Sequence, residues 1–379
     1  MTCATSPAAA VLAPCHAARP LYPAKPALLD FFAGSGLVSH ALSNWFDLVW
    51  ANDVCEKKAA VFGANHPGKP FVLGSVSNVR GSDVPPAALS WASFPCQDLS
   101  LAGAAKGIRA SRSGLVWEWL RVMDGMTERP PVVVAENVVG LLSSHDGLHY
   151  KELHEALVGR GYRVGAIVLD AIRFVPQSRP RVFVIGVDGD MDLPPAVVGD
   201  GPNWLHPASV VRVARETTAF VWWRLPEPRP RRRSLSEVVD RTRPCHDEAT
   251  SQKNLALIPV AHRRRLEESG LDVAPGYRRI RNGRQVLELR FDDVAGCLRT
   301  PAGGSSRQLL ILRQDGRWKT RLLTAVEAAR LMGAPQDFQL PGSDTDAYRA
   351  MGDAVAVPVA AYLAEHLLCR LMPERHDYS

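Results

Sequence analysis

Pairing is what the cysteines of this 379-residue chain lack. The seven (positions 3, 15, 55, 96, 245, 297 and 369) form no C-x-x-C pair, and their number is odd. That excludes a disulfide framework and a zinc ribbon, and it points to a reducing compartment. No apolar run reaches the roughly 18–20 residues that span a bilayer. The first twenty residues are rich in Ala and Pro but carry no Lys or Arg before Arg19. A secretory leader wants a basic start and a longer apolar run, so residues 1–24 read as a flexible tail. What remains, at 46% hydrophobic and 22% charged residues, is the composition of a globular protein able to bury a full core.

Lysine is scarce where the charge is concentrated. Residues 191–320 hold 23 Lys and Arg against 15 Asp and Glu, a net of +8, and only Lys253 and Lys319 are lysines. The rest of the chain holds 22 against 24, so one central segment carries the whole basic excess behind the net +6. Arginine offers a planar fork that matches phosphates and guanine edges. A segment of this kind suits a polyanionic partner.

Short apolar runs alternate with helical stretches from 25 to 187. Strands are expected at 27–32, 47–51, 71–73, 89–93, 132–135, 165–169 and 182–187, and helices at 37–45, 57–65, 116–126 and 151–160. Such alternation predicts a doubly wound α/β sheet with ligands at the carboxyl ends of its strands. The pattern breaks near 188. Proline clusters, arginine runs at 231–233 and 263–265 and irregular β-like pieces follow to about 320. Helices return at 324–332 and 354–371, the last apolar enough to pack back on the sheet.

Asp30-Phe31-Phe32-Ala33-Gly34-Ser35-Gly36 closes the first strand with a glycine turn that lacks the third glycine of a dinucleotide fingerprint. About twenty residues on, Asn52-Asp53 ends the second strand with a carboxylate able to accept both hydroxyls of a ribose. The pair suits a nucleoside cofactor without a pyrophosphate, which points to S-adenosylmethionine. Phe94-Pro95-Cys96-Gln97 follows a short strand, and Pro95, with no N–H, ends its ladder and leaves a thiol on a loop. Glu136-Asn137-Val138 follows the apolar run 132–135, where burial would raise the carboxyl pKa. In a parallel sheet, Cys96 and Glu136 would face one crevice. Gln177-Ser178-Arg179-Pro180-Arg181 precedes the last strand and places two arginines at i and i+2 on one side of an extended chain.

In that order these motifs resemble the cytosine-C5 DNA methyltransferase family. Arg321-Leu322-Leu323-Thr324 with the stretch 327–333, and Gly352-Asp353-Ala354-Val355-Ala356-Val357-Pro358, look like that family's last two motifs. The resemblance implies an S-adenosylmethionine-dependent, Rossmann-like methyltransferase with a mostly parallel sheet and a smaller, irregular target-recognition domain. It assigns 25–187 plus 345–379 to cofactor binding and catalysis, and 188–344 to target recognition. By resemblance Cys96 is the nucleophile toward C6 of cytosine, Glu136 contacts N3 and the exocyclic amine, Arg181 contacts O2 and Arg179 supports the site. The cofactor set is Phe32, Ala33, Gly34, Ser35, Gly36, Asp53, Val54, Ser75, Pro95, Asp353, Ala354 and Val355. Gln97, Ser100, Arg112 and Gln177, with Arg278 and Arg281 on one basic loop and Gly303, Gly304, Ser305, Ser306 and Arg307 on another, are the DNA-contact set.

The family's mechanism requires no metal, in keeping with the absence of a ligand cluster from the sequence. The implied substrate is a short specific site in double-stranded DNA. The implied enzyme is a monomer of bacterial or phage type in the cytoplasm or nucleoid, acting alone or beside a cognate restriction endonuclease. Three positions depart from the family's habit. Gly36-Leu37-Val38 replaces Gly-Gly-Phe, Ser75 stands where an acidic residue commonly meets the adenine amine, and Asp353 stands where Asn is common. Two alternatives are a tRNA cytosine-5 methyltransferase and a catalytically silent DNA-binding protein. The first carries a Cys-Phe-Thr signature that neither Cys245-His246-Asp247 nor Cys297-Leu298-Arg299 reproduces, and the second would have lost Cys96 or Glu136.

Overall fold

In a computed structural model that describes residues 25–95, 114–298 and 307–372, seven strands form one sheet. They are β1 (Ala27–Phe31), β2 (Asp47–Asp53), β3 (Phe71–Leu73), β4 (Leu89–Ser93), β5 (Val132–Val138), β6 (Tyr162–Asp170) and β7 (Pro180–Asp188). Their order is β3-β2-β1-β4-β5-β7-β6, with β7 antiparallel to both neighbours and the other pairings parallel. The helices α1 (Leu37–Leu42), α2 (Glu56–Asn65), α3 (Leu115–Asp124) and α4 (Leu148–Val158) connect them. The doubly wound, mostly parallel sheet is the expected one.

Both faces of this sheet are covered, and successive strand residues serve opposite faces. Val132 and Val134 join a core with α1 and the C-terminal helices, whereas Val133 and Ala135 join a second core with α3 and α4. A continuous valine run therefore marks a strand buried on both sides. Polar strand ends are equally regular. Asn52 and Asp53 belong to β2, and Glu136 to Val138 belong to β5, so the strands run two or three residues past their apolar stretches. The ladder overrides the side-chain pattern because backbone groups near the strand ends still need partners.

The central segment contributes α5 (Ala208–Arg215), a two-stranded ribbon of β8 (Val198–Gly199) and β9 (Trp222–Trp223), and the helices α6 (Glu248–Ala256) and α7 (Val260–Glu268). A separate antiparallel sheet follows, built from β10 (Val273–Arg281), β11 (Arg284–Leu289), β12 (Leu309–Gln314) and β13 (Arg317–Leu322) in the order β11-β10-β12-β13. The stretch read as a basic loop at 275–284 is therefore a hairpin, with Asn282-Gly283 as its two-residue turn. Asn-Gly between alternating residues is a strong hairpin signal, and the density of arginine obscured it.

The helices α8 (Ala325–Leu331), α9 (Asp344–Asp353) and α10 (Val357–Leu363) return the chain to the first sheet, where α10 packs on α1. The C-terminal helices between Asp344 and Leu371 together contain a window apolar enough to cross a bilayer, but 56% of that window is buried inside the fold. It is a wall of the core.

Candidate active site

The carboxyl ends of β1, β2, β4 and β5 open on a cavity of about 710 Å³, within the size range of ligand sites. The glycine turn after β1 forms one wall. Phe32 and Gly34 hold positive φ angles of 58° and 56°, and the Gly34 N–H donates to Asp53 Oδ2 at 2.9 Å. Asp53 Oδ1 accepts from the Cys55 N–H at 2.8 Å, so two backbone donors fix this carboxylate at the cavity edge. A bulky residue at positive φ is strained and persists only where its surroundings determine it.

Phe32, Ala33, Gly34, Asp53 and Val54 line this cavity. So do Ser75, Pro95, Asp353, Ala354 and Val355. Ser35 and Gly36 do not face it. Ser35 is fully buried behind the turn, and a Cβ on Gly36 would come within 2.5 Å of the His66 ring. These two residues let the turn close against α2 and α9. Beneath the turn, burial pushes the Asp30 carboxyl up to about 7, with Ser39 donating to it at 2.5 Å.

Glu136 stands across the cavity at the end of β5, in register with Ser93 of β4 and Phe183 of β7. Its carboxylate meets Arg181 Nε at 3.1 Å. Burial raises the Glu136 pKa above its ordinary value, against the pull of Arg181, Arg179 and a hydrogen bond with Ser93. Ser93 in turn accepts the Trp91 indole N–H at 3.0 Å. A carboxyl so placed can hold a proton and hand it to a base edge.

Arg179, fully buried, works differently. Its guanidinium donates to the carbonyls of Leu298, Gly352 and Ala354 at 3.2, 2.9 and 2.6 Å, joining the central segment to the end of α9. Burial lowers its pKa to about 10. Asn137, outside the expected site set, donates its amide N–H to the Phe94 carbonyl at 2.9 Å. It thereby ties the backbone just before Pro95 to the Glu136 strand. The signal was its place between Glu136 and Val138, but its partner is set by β4–β5 pairing.

Cys96, Gln97, Ser100, Arg112, Gly303, Gly304, Ser305 and Ser306 lie outside the described residues. Gln177, expected at DNA, is fully buried. Its amide donates to Leu331 O at 2.9 Å and its carbonyl accepts from Leu298 N at 3.2 Å, so it is an internal tie. Arg307 donates to Asp344 at 2.6 Å and lies over the Tyr348 ring. Arg278 donates to Asn254 at 2.6 Å, and Arg281 pairs with Glu288 on the exposed hairpin.

A glycine turn, a fixed carboxylate and an acid–arginine pair share one cavity at the strand ends of a doubly wound sheet, the place and size of a ligand site. The residues present fit S-adenosylmethionine: Gly34 would let the ligand approach the backbone, and the Asp53 carboxylate at the cavity edge would accept from a ribose. More narrowly, residues 27–369 match the family described as C-5 cytosine-specific DNA methylase, and the chain belongs to it. It is a DNA cytosine-5 methyltransferase using S-adenosylmethionine. Among its relatives, the Type II methyltransferase M.NlaX of Neisseria lactamica is 27% identical, over 91% of this chain and 96% of its own length. The Type II methyltransferase M.Bsp6I of a Bacillus species is 25% identical, over 90% and 98%. The fold is also similar to S. pombe Dnmt2 methyltransferase (TM-score 0.58, 19% identity, 89% of this chain and 97% of the other). The Entamoeba histolytica methyltransferase EhMeth is a further match (0.61, 16%, 89% and 96%).

Proposed function

We propose that the protein methylates C5 of a cytosine flipped out of a short specific site in double-stranded DNA, through a covalent bond between Cys96 and C6. The observation that carries this reading is Glu136, a buried carboxyl with a raised pKa, held by Arg181 one strand from the Ser93–Pro95 strand end that leads into Cys96. Cytosine C5 is a poor nucleophile until a thiolate adds at C6. The charge this addition places on the ring is met by a proton from Glu136 at N3 and by Arg181 at O2. S-adenosylmethionine, when bound, supplies the methyl group to C5. Loss of the C5 proton then expels the Cys96 thiolate and restores the aromatic ring. Arg179 positions the strand that carries Arg181, and Asn137 positions the backbone before Cys96.

Residues 188–344 would serve as the target-recognition domain, with the exposed Arg281 of the β10–β11 hairpin among its DNA contacts. The basic excess of 191–320 supports that division, because phosphate contacts supply most of the sequence-independent affinity. We place the enzyme in the bacterial cytoplasm as a monomer, sharing its site with a cognate endonuclease where one exists. The Type II names of the relatives favour DNA over tRNA, whereas the Dnmt2 likeness, under 20% identical, bears on the fold alone.

Bisulfite sequencing of DNA from a methylation-free bacterial host expressing the protein tests this reading. Protected cytosines confined to one short motif are expected, and a Cys96→Ser variant should show none. Uniform conversion at every motif, with the protein folded and expressed, would overturn it.

A further inference from the structure

The β10–β11 hairpin outgrows its sheet. β12 pairs with β10 only over residues 273–276, so residues 277–288 run on as a two-stranded ribbon closed by the Asn282-Gly283 turn. At about 3.3 Å per residue, the five residues 277–281 reach roughly 17 Å. The root of the ribbon lies beside the catalytic cavity. The Tyr277 hydroxyl donates to the Cys297 carbonyl, Cys297 Sγ accepts from Arg179 Nη1 at 3.4 Å, and Arg179 lines that cavity. Three of the ribbon's arginines already have partners in the fold: Arg278 at Asn254, Arg279 over the Tyr277 ring and Arg281 at Glu288. Near the tip, Ile280 is 74% exposed, and Gln285, directly opposite, is exposed as well. Cross-strand partners share a face, with Cβ atoms about 4.5–5.5 Å apart. Nearer the root that face is apolar core, where Leu287 and Leu289 pack with Leu266 of α7. Ile280 lies past this core, so burial within the fold does not account for it.

We propose that this tip enters the major groove and reads one A·T pair near the target cytosine, Gln285 taking the adenine and Ile280 the methyl group of the paired thymine. The proposal rests on the function proposed above, methylation of cytosine in duplex DNA. The major groove admits a two-stranded ribbon and is about 8.5 Å deep, so a reach of roughly 17 Å brings the tip to the base edges. Adenine presents N7 as acceptor and N6 as donor, which one Gln amide meets with two hydrogen bonds. Thymine presents, alone among the unmodified bases, a methyl group. A single A·T pair carries all three groups, and one face of the ribbon carries their complements. Residues 277–288 hold four arginines (278, 279, 281 and 284) against the one acid Glu288, a net of +3. That charge suits a ribbon flanked by the phosphates that wall the groove. With its root at the cavity and base pairs about 3.4 Å apart, the ribbon spans about five pairs from the target.

Bisulfite sequencing of a duplex library randomised around cytosine and methylated by the full chain gives the base preference at every position. One position within about five base pairs of the cytosine should demand A·T in one orientation. Gln285→Ala should cut the preference there by about fivefold to 150-fold, the worth of a bidentate base contact, and leave other positions within about twofold. Ile280→Ala should cut it by about fourfold, the worth of one buried methyl group. Base analogues in that pair supply a second arm, read as methyl transfer to synthetic duplexes. With the unaltered protein, 7-deazaadenine, which lacks the N7 acceptor, and uracil, which lacks the methyl group, should each slow the reaction. Gln285→Ala should be indifferent to 7-deazaadenine, and Ile280→Ala to uracil. A motif with no A·T requirement in that range, an equal loss at every position, or analogues that slow the variants as much as the unaltered protein would overturn the proposal. No methylation of any DNA by the unaltered protein would instead overturn the function proposed above, and this base contact with it.

Discussion

Two buried arginine–glutamate pairs sit in different regions of the molecule, and they are built to opposite ends. At the junction of β13 and α8, Arg321 grips Glu327 with both terminal nitrogens, at 2.8 and 2.6 Å. The same carboxylate accepts from Thr324 N and Oγ1, both at 2.9 Å, and from Asp240 N at 2.8 Å. Burial pushes Glu327 upward, but these donors outweigh it and hold the group below its ordinary pKa. At the end of β5, Glu136 meets Arg181 at 3.1 Å through Nε, has Ser93 as its further hydrogen-bond partner, and is raised instead. Saturation with donors makes a carboxylate permanent structure. Under-saturation beside a cavity leaves one able to carry a proton.

The largest expected effect separates the two pairs by what they lose. Glu136→Gln should lower the methylation rate by about 10²–10⁴-fold, the usual contribution of a positioned acid. Its melting temperature should be unchanged or higher, since a buried group that resists ionisation has been replaced by a neutral isostere. Glu327→Ala should instead unfold the junction, costing about 3–5 kcal/mol because Arg321 is left buried and unpaired. Denaturant titration of both variants, alongside methyl transfer, checks this. A destabilised Glu136→Gln with normal turnover would erase the contrast.

pH sharpens it. With Glu136 raised, the folded protein binds that proton more tightly than the unfolded chain does. Its contribution to stability is then full below the ordinary value of 4.5 and is lost as pH rises through the folded value. With Glu327 lowered, the contribution is present above 4.5 and is lost as pH falls through the lowered value. Melting curves from about pH 2.5 to 8 should show wild type losing ground to Glu136→Gln as pH rises. They should show it losing its lead over Glu327→Gln as pH falls. The smallest effect belongs to the surface. Arg281→Ala, which breaks an exposed pair with Glu288, should leave the melting temperature unchanged and weaken DNA binding, read as a smaller salt dependence of affinity.

Much of this was legible in the sequence. The strands at 71–73 and 89–93 fall where their apolar residues put them, and Glu136, Arg179 and Arg181 were marked by their place at strand ends. What escaped depends on partners distant in the chain. Gln177 looks like a surface amide until Leu298 and Leu331 close over it, and Lys58 looks like one more helix lysine until α9 brings Asp353 to it. The single helix expected at 354–371 begins later, at Val357, after the extended Ala354 and Ala356 that separate it from α9. The mark of the break was Pro358, which fits only the first turn of a helix and so points to a start beside it rather than a continuous run.

The most direct test of the central claim, a covalent Cys96 adduct completed by Glu136, is mass-mapped trapping on DNA. A duplex library carrying 5-fluorocytosine, incubated with the protein and S-adenosylmethionine, should give a denaturation-resistant complex whose cross-linked peptide contains Cys96. Fluorine at C5 blocks the release step that frees the thiol. Cys96→Ser should give no complex, and Glu136→Gln should form it far more slowly. A cross-link at any other residue, or methylated DNA without a trapped complex, would contradict the mechanism.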